Sequence, residues 1–590
     1  MKFSNYNLSA GQQSDAPANV IGANKAQAIT DVSFEKTGAI QAVKANTVAY
    51  SFGLSGDVTG VHIYNDGIAS RLISIAGTGI YYNDIQVKQI PYTGKYTFCD
   101  HNQAVYCASA ENTLCKITHG GNAYLMGSPQ PATKVTLAQA GDDIVDPPGN
   151  MNCGDAKNDP YRIAMTYVTE HTSSGGGVYQ TEGNPGTPTQ IENLSASRVI
   201  VSDIPSFSDS NAYNIVNKRL YIYGGEDPNF SDYFRVYSDT SGSGTYSSQM
   251  AATVTSATIN PLALDRWDET RVLIDDNDLP PRAAYIVNNF DHFALTGNPN
   301  YPDRWYYGKV SSENIPSNNW IKEDSEIMGM AKWNNSVWTP TRDGLKVKVG
   351  ANENNFYNQD TDVSDGCVAP HTLCGTPYGL IYLSYNGVVR YTGQQNVQIL
   401  SKELDDVFLN LPAEHYENAC ATYFDHEYWI SVTTEGSTSN DHTYIYNFLT
   451  NGWRVSHTAY LCFGKDERKF KLYGSYSGGS EVHEIAGDDT YSGWHYFTRE
   501  YEMKLYPEAP PIRMFPTLLH LDIDTKGEDV LAIPYYDGVA VAGITVNSAS
   551  RENKTYRLPE GNCYRMSIKF IQGDSNYQTI FYNYDIEANK

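Results

Sequence analysis

Short apolar runs separated by Gly or Asn recur along nearly the whole of this sequence, and that rhythm constrains the fold more than any other feature. Residues 375–401 show it plainly. Residues 380–383 and 388–391 read as two strands, and Asn386-Gly387 between them tolerates the positive φ of a tight hairpin turn. Gly393 ends the second strand, and 397–400 follows as a third apolar run. Strands this short are the working unit of repeated antiparallel sheets. A chain of 590 residues is too long for one compact core, so several domains or one large repetitive fold is expected. The 46 Tyr and 48 Gly point the same way, because Tyr suits a pleated half-buried surface and Gly suits turns.

Residues 1–30, with Gly11, Pro17 and Gly22, read as an extended arm with little core of its own. From Asp31 strands follow closely: two about Lys36-Thr37-Gly38, then 61–64, 72–75, 80–82, 85–87, 104–107, 114–117 and 123–126. Strand density sustained this far fits successive propeller blades better than a single sandwich. Gly127-Ser-Pro-Gln-Pro131 stops the run, and 136–158, rich in Gly, Asp, Asn and Pro, reads as a linker. Longer strands and wider loops over 159–255 predict an inserted β-sandwich-like domain. The short rhythm resumes at 256 and runs to 590. The expected fold is therefore all-β, an irregular β-propeller in two parts, 31–135 and 256–590, interrupted by a sandwich-like insertion. The last runs, 564–572 and 577–586, should close the body by joining a sheet with early strands. Residues 401–411 form the one clear helix pattern. Leu404, Val407, Phe408 and Leu411 recur at helical spacing, Ser401 is placed to cap, and Pro412 stops the run.

With 42 basic and 67 acidic side chains the formal charge is −25, which argues against wrapping nucleic acid tightly, since that needs a basic face. No apolar run is long enough to cross a bilayer, and residues 1–12 lack a signal-peptide core, so a soluble chain without membrane insertion is expected. The nine Cys are odd in number and irregular in spacing, so free buried thiols are the default, with a pairing of Cys367 and Cys374 across their short loop as the lesser alternative.

Asp360, Asp362 and Asp365 before Gly366 have the look of a calcium loop, but the closing Glu is missing, and such clusters are more often solvated turns. Asp522 and Asp524 with Gly527 are weaker still. Glu481-Val-His483-Glu484 and His426-Glu427 are fragments of zinc motifs, and neither completes His-Glu-x-x-His. Gly224-Gly225 reads as a turn rather than a phosphate cradle, and no nucleophile elbow or phosphate-binding loop is present. Trp305-Tyr306-Tyr307 and 494–497 offer rings that could stack on sugars or bases, with packing inside blades the commoner use. These readings assign no catalytic, cofactor or metal residue, and a non-enzymatic role is expected.

Several pieces, in this order, resemble the tail nozzle family of short-tailed bacteriophages, also called packaged-DNA stabilisation or tail tubular proteins. They are the arm with Gly11 and Pro17, the Gly127–Pro131 break, residues 219–223 followed by 234–237, Tyr378-Gly-Leu-Ile-Tyr382 with Asn386-Gly-Val388, residues 423–429 followed by 444–453, and Arg557-Leu-Pro-x-Gly561. The order of the pieces carries the resemblance. One departure is that 170–177 lacks the Gly-Glu-Glu-Ser run expected near the first turn of the insertion. The resemblance implies a structural virion protein: a hexameric ring below the portal and adaptor rings, which retains packaged DNA and later passes it. It implies as partners the head-to-tail adaptor, tail fibre, spike or needle proteins, and passing duplex DNA that is not bound tightly. It also implies a place in the virion tail after assembly in the host bacterial cytoplasm. The competing expectation is a carbohydrate-active propeller, glycosidase or lectin, with paired acids and aromatics on one axial face. For a ring, the net charge suggests an acidic channel wall, with 275–278 among the contributors.

Overall fold

The computed structural model describes the chain except residues 1, 23, 35–37, 53–55, 93, 141–160, 192–197, 209–210, 224–231, 260–266, 394–396, 488–489, 505–508 and 590; for 267–270 it describes the backbone alone. Lys36-Thr37, Cys153, Gly224-Gly225 and the expected linker from 141 onward lie outside the described residues. The fold is all-β, an irregular β-propeller with an inserted β-sandwich-like domain, and among the described residues helix is confined to short pieces of one or two turns. Two compact units result: Met1–Lys95 with Met328–Val347 and Asp360–Lys590, and Tyr96–Ile327 with Lys348–Gln359.

The blades are antiparallel meanders, numbered here in chain order. In the first unit, blade 1 is Val58–Asn65, Ser70–Ala76, Gly79–Tyr82 and Ile85–Gln89. Blade 4 opens with the hairpin Ala331–Trp333 and Ser336–Pro340. Blade 5 is Cys374–Thr376, Gly379–Ser384, Gly387–Tyr391 and Gln398–Ile399, and blade 6 is Cys420–Phe424, Glu427–Val432, His442–Asn447 and Gly452–Ser456. Blade 7 takes three late strands, Cys462–Asp466, Lys471–Ser475 and Glu481–Glu484, and one early strand, Thr47–Ser51, which pairs Ser51 with Glu481 and Thr47 with Glu484. Joining the two ends of the chain within one sheet removes a free edge.

One device recurs in the hairpins. In blades 4 and 6 the turn between the first two strands has two residues, both at positive φ: Asn334 and Asn335 (49° and 59°), and Asp425 and His426 (46° and 62°). In the second unit Asn102-Gln103 and Phe290-Asp291 do the same in blades 2 and 3. This is type I′ geometry, whose twist matches that of the flanking strands. The blade 5 hairpin differs from expectation. Ser384 pairs with Gly387, so Tyr385-Asn386 makes the turn, and Gly387 follows it at φ 96°. Glycine is required there twice over, since a Cβ would lie 2.2 Å from Ser401 Oγ.

The expected helix at 401–411 is not continuous. Lys402–Leu404 is a 3₁₀ turn and Asp405–Phe408 a single α turn. Ser401 does not cap it; its Oγ instead accepts from the Val388 N–H at 2.9 Å. The apolar spacing reports the packing correctly: Leu404, Phe408 and Leu411 are buried against blades 5 and 6, and Val407 is partly buried beside them. With only two turns to hold and the cap diverted to a neighbouring strand, packing fixes this segment, not helix propagation.

Residues 1–30 are not a loose arm. Lys2–Asn5 pairs with Ile580–Asn589, and Ala26–Thr30 lies between blade 6 and Trp494–Thr498. Leu8, Ala26 and Ile29 are fully buried. The closing strands lie in two different sheets, and only Ile580–Asn589 pairs directly with early strands among the described residues. Ile580–Asn589 joins Ile40–Ala42 and Phe515–Asp524, whereas Arg565–Gln572 joins Trp494–Thr498 and Val530–Tyr536. These sheets face each other over one core containing Tyr496, Leu519, Leu521, Phe570, Phe581 and Tyr584, which is a second sandwich built from both chain ends. One of its sheets is continuous with blade 6 through the parallel bridge of Thr30 to Val455.

The second unit contains blade 2 (Thr97–His101, Ala104–Ala108, Cys115–Thr118, Ala123–Leu125) and blade 3 (Tyr285–Asn289, His292–Thr296, Arg304–Tyr307, Trp320–Lys322). They share a core around Tyr106, Phe293 and Leu295. The inserted sandwich lies between them in sequence, and it is wider than 159–255. Thr136–Gln139 is already an edge strand of its four-stranded sheet, and Trp267–Val272 ends its larger sheet. Ile163, Met165, Val199, Val201, Leu220 and Ile222 fill the space between the two sheets. Residues 170–186, expected as wide polar loops, are mostly the long hairpin of Tyr161–Thr172 with Val178–Glu182. All eight described cysteines are free, Cys367 and Cys374 included.

Candidate functional site

The residues singled out for metal or catalytic chemistry are occupied in structural roles. Asp360 pairs with Lys346 at 2.6 Å, Asp365 accepts from Asn386 Nδ2 at 2.5 Å, and Asp362 is exposed. Asp522 accepts from both ends of the Arg551 guanidinium, at 3.1 and 2.8 Å, and Asp524 pairs with Lys526. His483 stacks on Tyr476 at 4.0 Å between centroids; His426 sits in the blade 6 turn and bonds the Tyr378 hydroxyl at 2.7 Å. Glu427 is buried against Arg454 at 2.7 Å. Among the described residues no group of three or more His, Cys, Asp and Glu is placed to hold a metal ion. Trp305 and Tyr306, like Trp494 and Tyr496, are buried inside sheets.

What the fold does bring together is a set of charges with no exposed partner, at the root of the insertion. Lys116 stands in Cys115–Thr118, a strand buried along its length. Its ammonium donates to both oxygens of Glu313, at 2.8 and 2.9 Å, and Lys116 is 0% and Glu313 3% exposed. Glu313 also accepts from the Tyr106 hydroxyl at 2.9 Å and the Gly127 N–H at 3.0 Å. His171, near the end of the first long strand of the sandwich, lies 3.6 Å from the same carboxylate; its Nε2 is 3.0 Å from the Asn102 carbonyl. Next in chain, Asn314 accepts from the Ser128 N–H at 2.7 Å and donates to the Ser128 and Asn277 carbonyls. The Glu313 N–H reaches Thr181 Oγ1. One buried carboxylate and its neighbour, in the loop between the third and fourth strands of blade 3, thus tie that blade to blade 2, the Gly127-Ser128 break, the segment before blade 3, and two strands of the sandwich.

The electrostatics follow from burial and pairing. Burial alone would push the Glu313 carboxyl up, but Lys116, His171 and the Gly127 N–H outweigh it and hold the carboxyl below its ordinary value. Burial and the Lys116 charge hold His171 below its ordinary 6.5, in spite of Glu313. The unfolded chain therefore takes up protons that this site refuses. For His171 the stabilisation is complete above pH 6.5 and declines as pH falls below it; for Glu313 it is complete above 4.5 and is lost as pH falls through the lowered value. Mild acid, between pH 6.5 and 4.5, should accordingly lower the unfolding midpoint of this unit, and His171→Phe should flatten that part of the profile. An unchanged slope in the variant would remove His171 as the cause.

The sequence carried one unread sign of this site: a Lys inside an otherwise apolar strand needs a buried counter-charge. Nothing local marks Glu313, which lies in a loop far along the chain. The arrangement can fix one domain rigidly on another. It contains no nucleophile paired to a base, and the lysine is spent on an ion pair.

No family model matches the chain, and no curated protein matches its sequence. Solved structures to which it is similar include the computationally designed Ika8 protein (6% identity, covering 75% of this chain and 100% of that one, TM-score 0.23). Others are BBS1N in complex with ARL6DN (9%, 75% and 97%, TM-score 0.24) and the C-terminal WD40 domain of Sif2 (9%, 78% and 98%, TM-score 0.26). Likeness at these TM-scores decides nothing about what the chain does.

Proposed function

We propose that this chain is a structural ring subunit of a virion tail, of the nozzle type found in short-tailed bacteriophages, which retains packaged DNA and later lets it pass. The observation that supports this reading most is the agreement between motif order and architecture. The Gly127–Pro131 break leads into a sandwich inserted between two blades, and the motifs at 378–388 and 423–453 form the hairpins of blades 5 and 6. The candidate acids and aromatics are taken up in ion pairs and cores, which favours a structural role over a carbohydrate-active one.

The subunits would form a closed head-to-tail ring, and six is the number the family resemblance implies. The partners would be the adaptor ring above, and tail fibre, spike, needle or plug proteins below or around. At −25 per chain, a channel through the ring would repel the duplex within about a Debye length, roughly 8 Å at physiological salt. Retention would then rest on a constriction or plug instead of adhesion. Asp275 and Asp276 remain candidates for the wall, both exposed although Lys309 pairs with Asp276; Asp278 is taken up by Asn184 and the Ser317 N–H.

Negative-stain imaging of the purified chain mixed with the adaptor protein tests the reading. Rings joined to the adaptor are expected; a lone monomer that cleaves or binds polysaccharide would replace it with the carbohydrate reading. The turn at 173–177 is closed by its own backbone bonds, and Ser174 bonds Gln103 of blade 2. Deleting it should leave the rings intact, and loss of rings on that deletion would put the insertion at the subunit contact.

A further inference from the structure

The segment crossing from blade 5 to blade 6, residues 400–419, has two opposite faces. Leu404, Phe408 and Leu411 are sunk in the core. Leu409, beside them, is 52% exposed. The blade 5 turn adjoins it, since a Cβ on Gly387 would lie 3.7 Å from that of Phe408. At the tip of this turn Tyr385 is 56% exposed, with its ring 6.4 Å from that of half-buried Tyr416. Large apolar groups gathered at one end of a blade mark an interaction surface more often than isolated ones do.

The charge around them is one-sided. Between 402 and 418 Lys402 is the one Lys or Arg, with His415, against Glu403, Asp405, Asp406, Glu414 and Glu417, and from outside the segment the buried Lys95 ammonium bonds the Asn418 and Ala419 carbonyls and lies near Glu417. Glu403 is neutralised by Lys25 at 2.7 Å. Asp406, Glu414 and Glu417 are exposed; Asp406 accepts from the Ser14 hydroxyl at 2.6 Å, and among the described residues neither Glu414 nor Glu417 makes a close ion pair, although the Lys95 charge acts on Glu417. Burial, with Asp15 and Asp406 close by, raises the Asp405 carboxyl, so negative charge here is crowded and not fully offset by Lys402. A second copy of this chain, at −25, and nucleic acid are both poor occupants for such a rim.

We propose that this patch, Tyr385, Leu409 and Tyr416 within a rim of Asp405, Asp406, Glu414 and Glu417, docks a basic segment of another protein that also presents aromatic or aliphatic side chains. The apolar centre supplies affinity and the acidic rim supplies attraction and selection.

The test uses the full chain and a short fluorescent peptide alternating lysine with tryptophan, with a glutamate–tryptophan peptide as counterpart. Saturable binding of the basic peptide alone is expected. Leu409→Ser combined with Tyr385→Ser, which leaves every charge in place, should weaken it on the order of tenfold or more. Asp406→Asn with Glu414→Gln and Glu417→Gln should weaken it similarly and reduce its salt dependence. Removing three acids elsewhere, Glu467, Glu552 and Glu560, should change little. Circular dichroism establishes that each variant is folded. No binding, equal losses in the patch and control variants, or indifference to the apolar pair would each overturn the proposal, the last by reducing the binding to general charge attraction. Self-association of the chain that Leu409→Ser abolishes would overturn it in favour of a second copy.

Discussion

Glu313→Ala should cost the unit that holds it about 3–5 kcal/mol, the usual penalty for leaving one member of a buried ion pair alone. The change strands an ammonium that is 0% exposed and takes the acceptor from the Tyr106 hydroxyl and the Gly127 N–H. Lys116→Ala should cost a comparable amount, by stranding the carboxylate. The combined replacement Lys116→Met with Glu313→Leu should recover most of either loss, because an apolar pair of similar volume spares both desolvation penalties. Urea unfolding of the wild type, the matched single variants Lys116→Met and Glu313→Leu, and their combination gives the coupling between the two sites directly. A loss under about 1 kcal/mol for Glu313→Ala, or losses that simply add in the combined variant, would mean the pair is hydrated and does not anchor the insertion.

Phe408→Ala should have an effect of similar size, roughly 3–5 kcal/mol, by opening a cavity that cannot collapse. Phe408 is 2% exposed, with its ring 5.2 Å from Tyr444 and 5.6 Å from Trp453. The adjacent Leu409→Ala, at a residue 52% exposed, should stay within about 0.5 kcal/mol. The pair makes a sharp comparison across one peptide bond. Equal melting temperatures for the two variants would show that the segment is not pinned between blades 5 and 6.

What could be read in the sequence was whatever is local. Short strands, their rhythm, the Gly127–Pro131 break and the change of pace in the insertion all depend on neighbouring residues. The hairpin expected at Asn386-Gly387 forms, although its turn lies one residue earlier. Turns such as Phe290-Asp291 and Asn102-Gln103 gave a weaker sign, because only one residue of each, Asp291 and Asn102, readily takes positive φ and the strands force it on Phe290 and Gln103. The helix at 401–411 was over-read for the same reason: its apolar spacing records which side chains are buried, and three-residue repeats serve a 3₁₀ turn as well as an α-helix.

The rest is long-range. Ala26–Thr30 looks like part of a loose arm because its partners are blade 6 and Trp494–Thr498. Thr47–Ser51, exposed along most of its length, acquires its place only beside Glu481–Glu484. The buried hub pairs residues 116 and 313, with the whole insertion between them, so only the odd lysine in an apolar strand hinted at it. The acids that resembled metal ligands were misleading in the opposite way. Asp360, Asp365 and Asp522 are instead engaged by Lys346, Asn386 and Arg551.

The most direct test of the account is the mass of the particle that the purified chain forms with its adaptor, read by native mass spectrometry. A closed ring of six 65.5 kDa chains on the adaptor is the predicted result. A chain that remains a 65.5 kDa monomer with the adaptor present, while binding or cleaving polysaccharide, would contradict it.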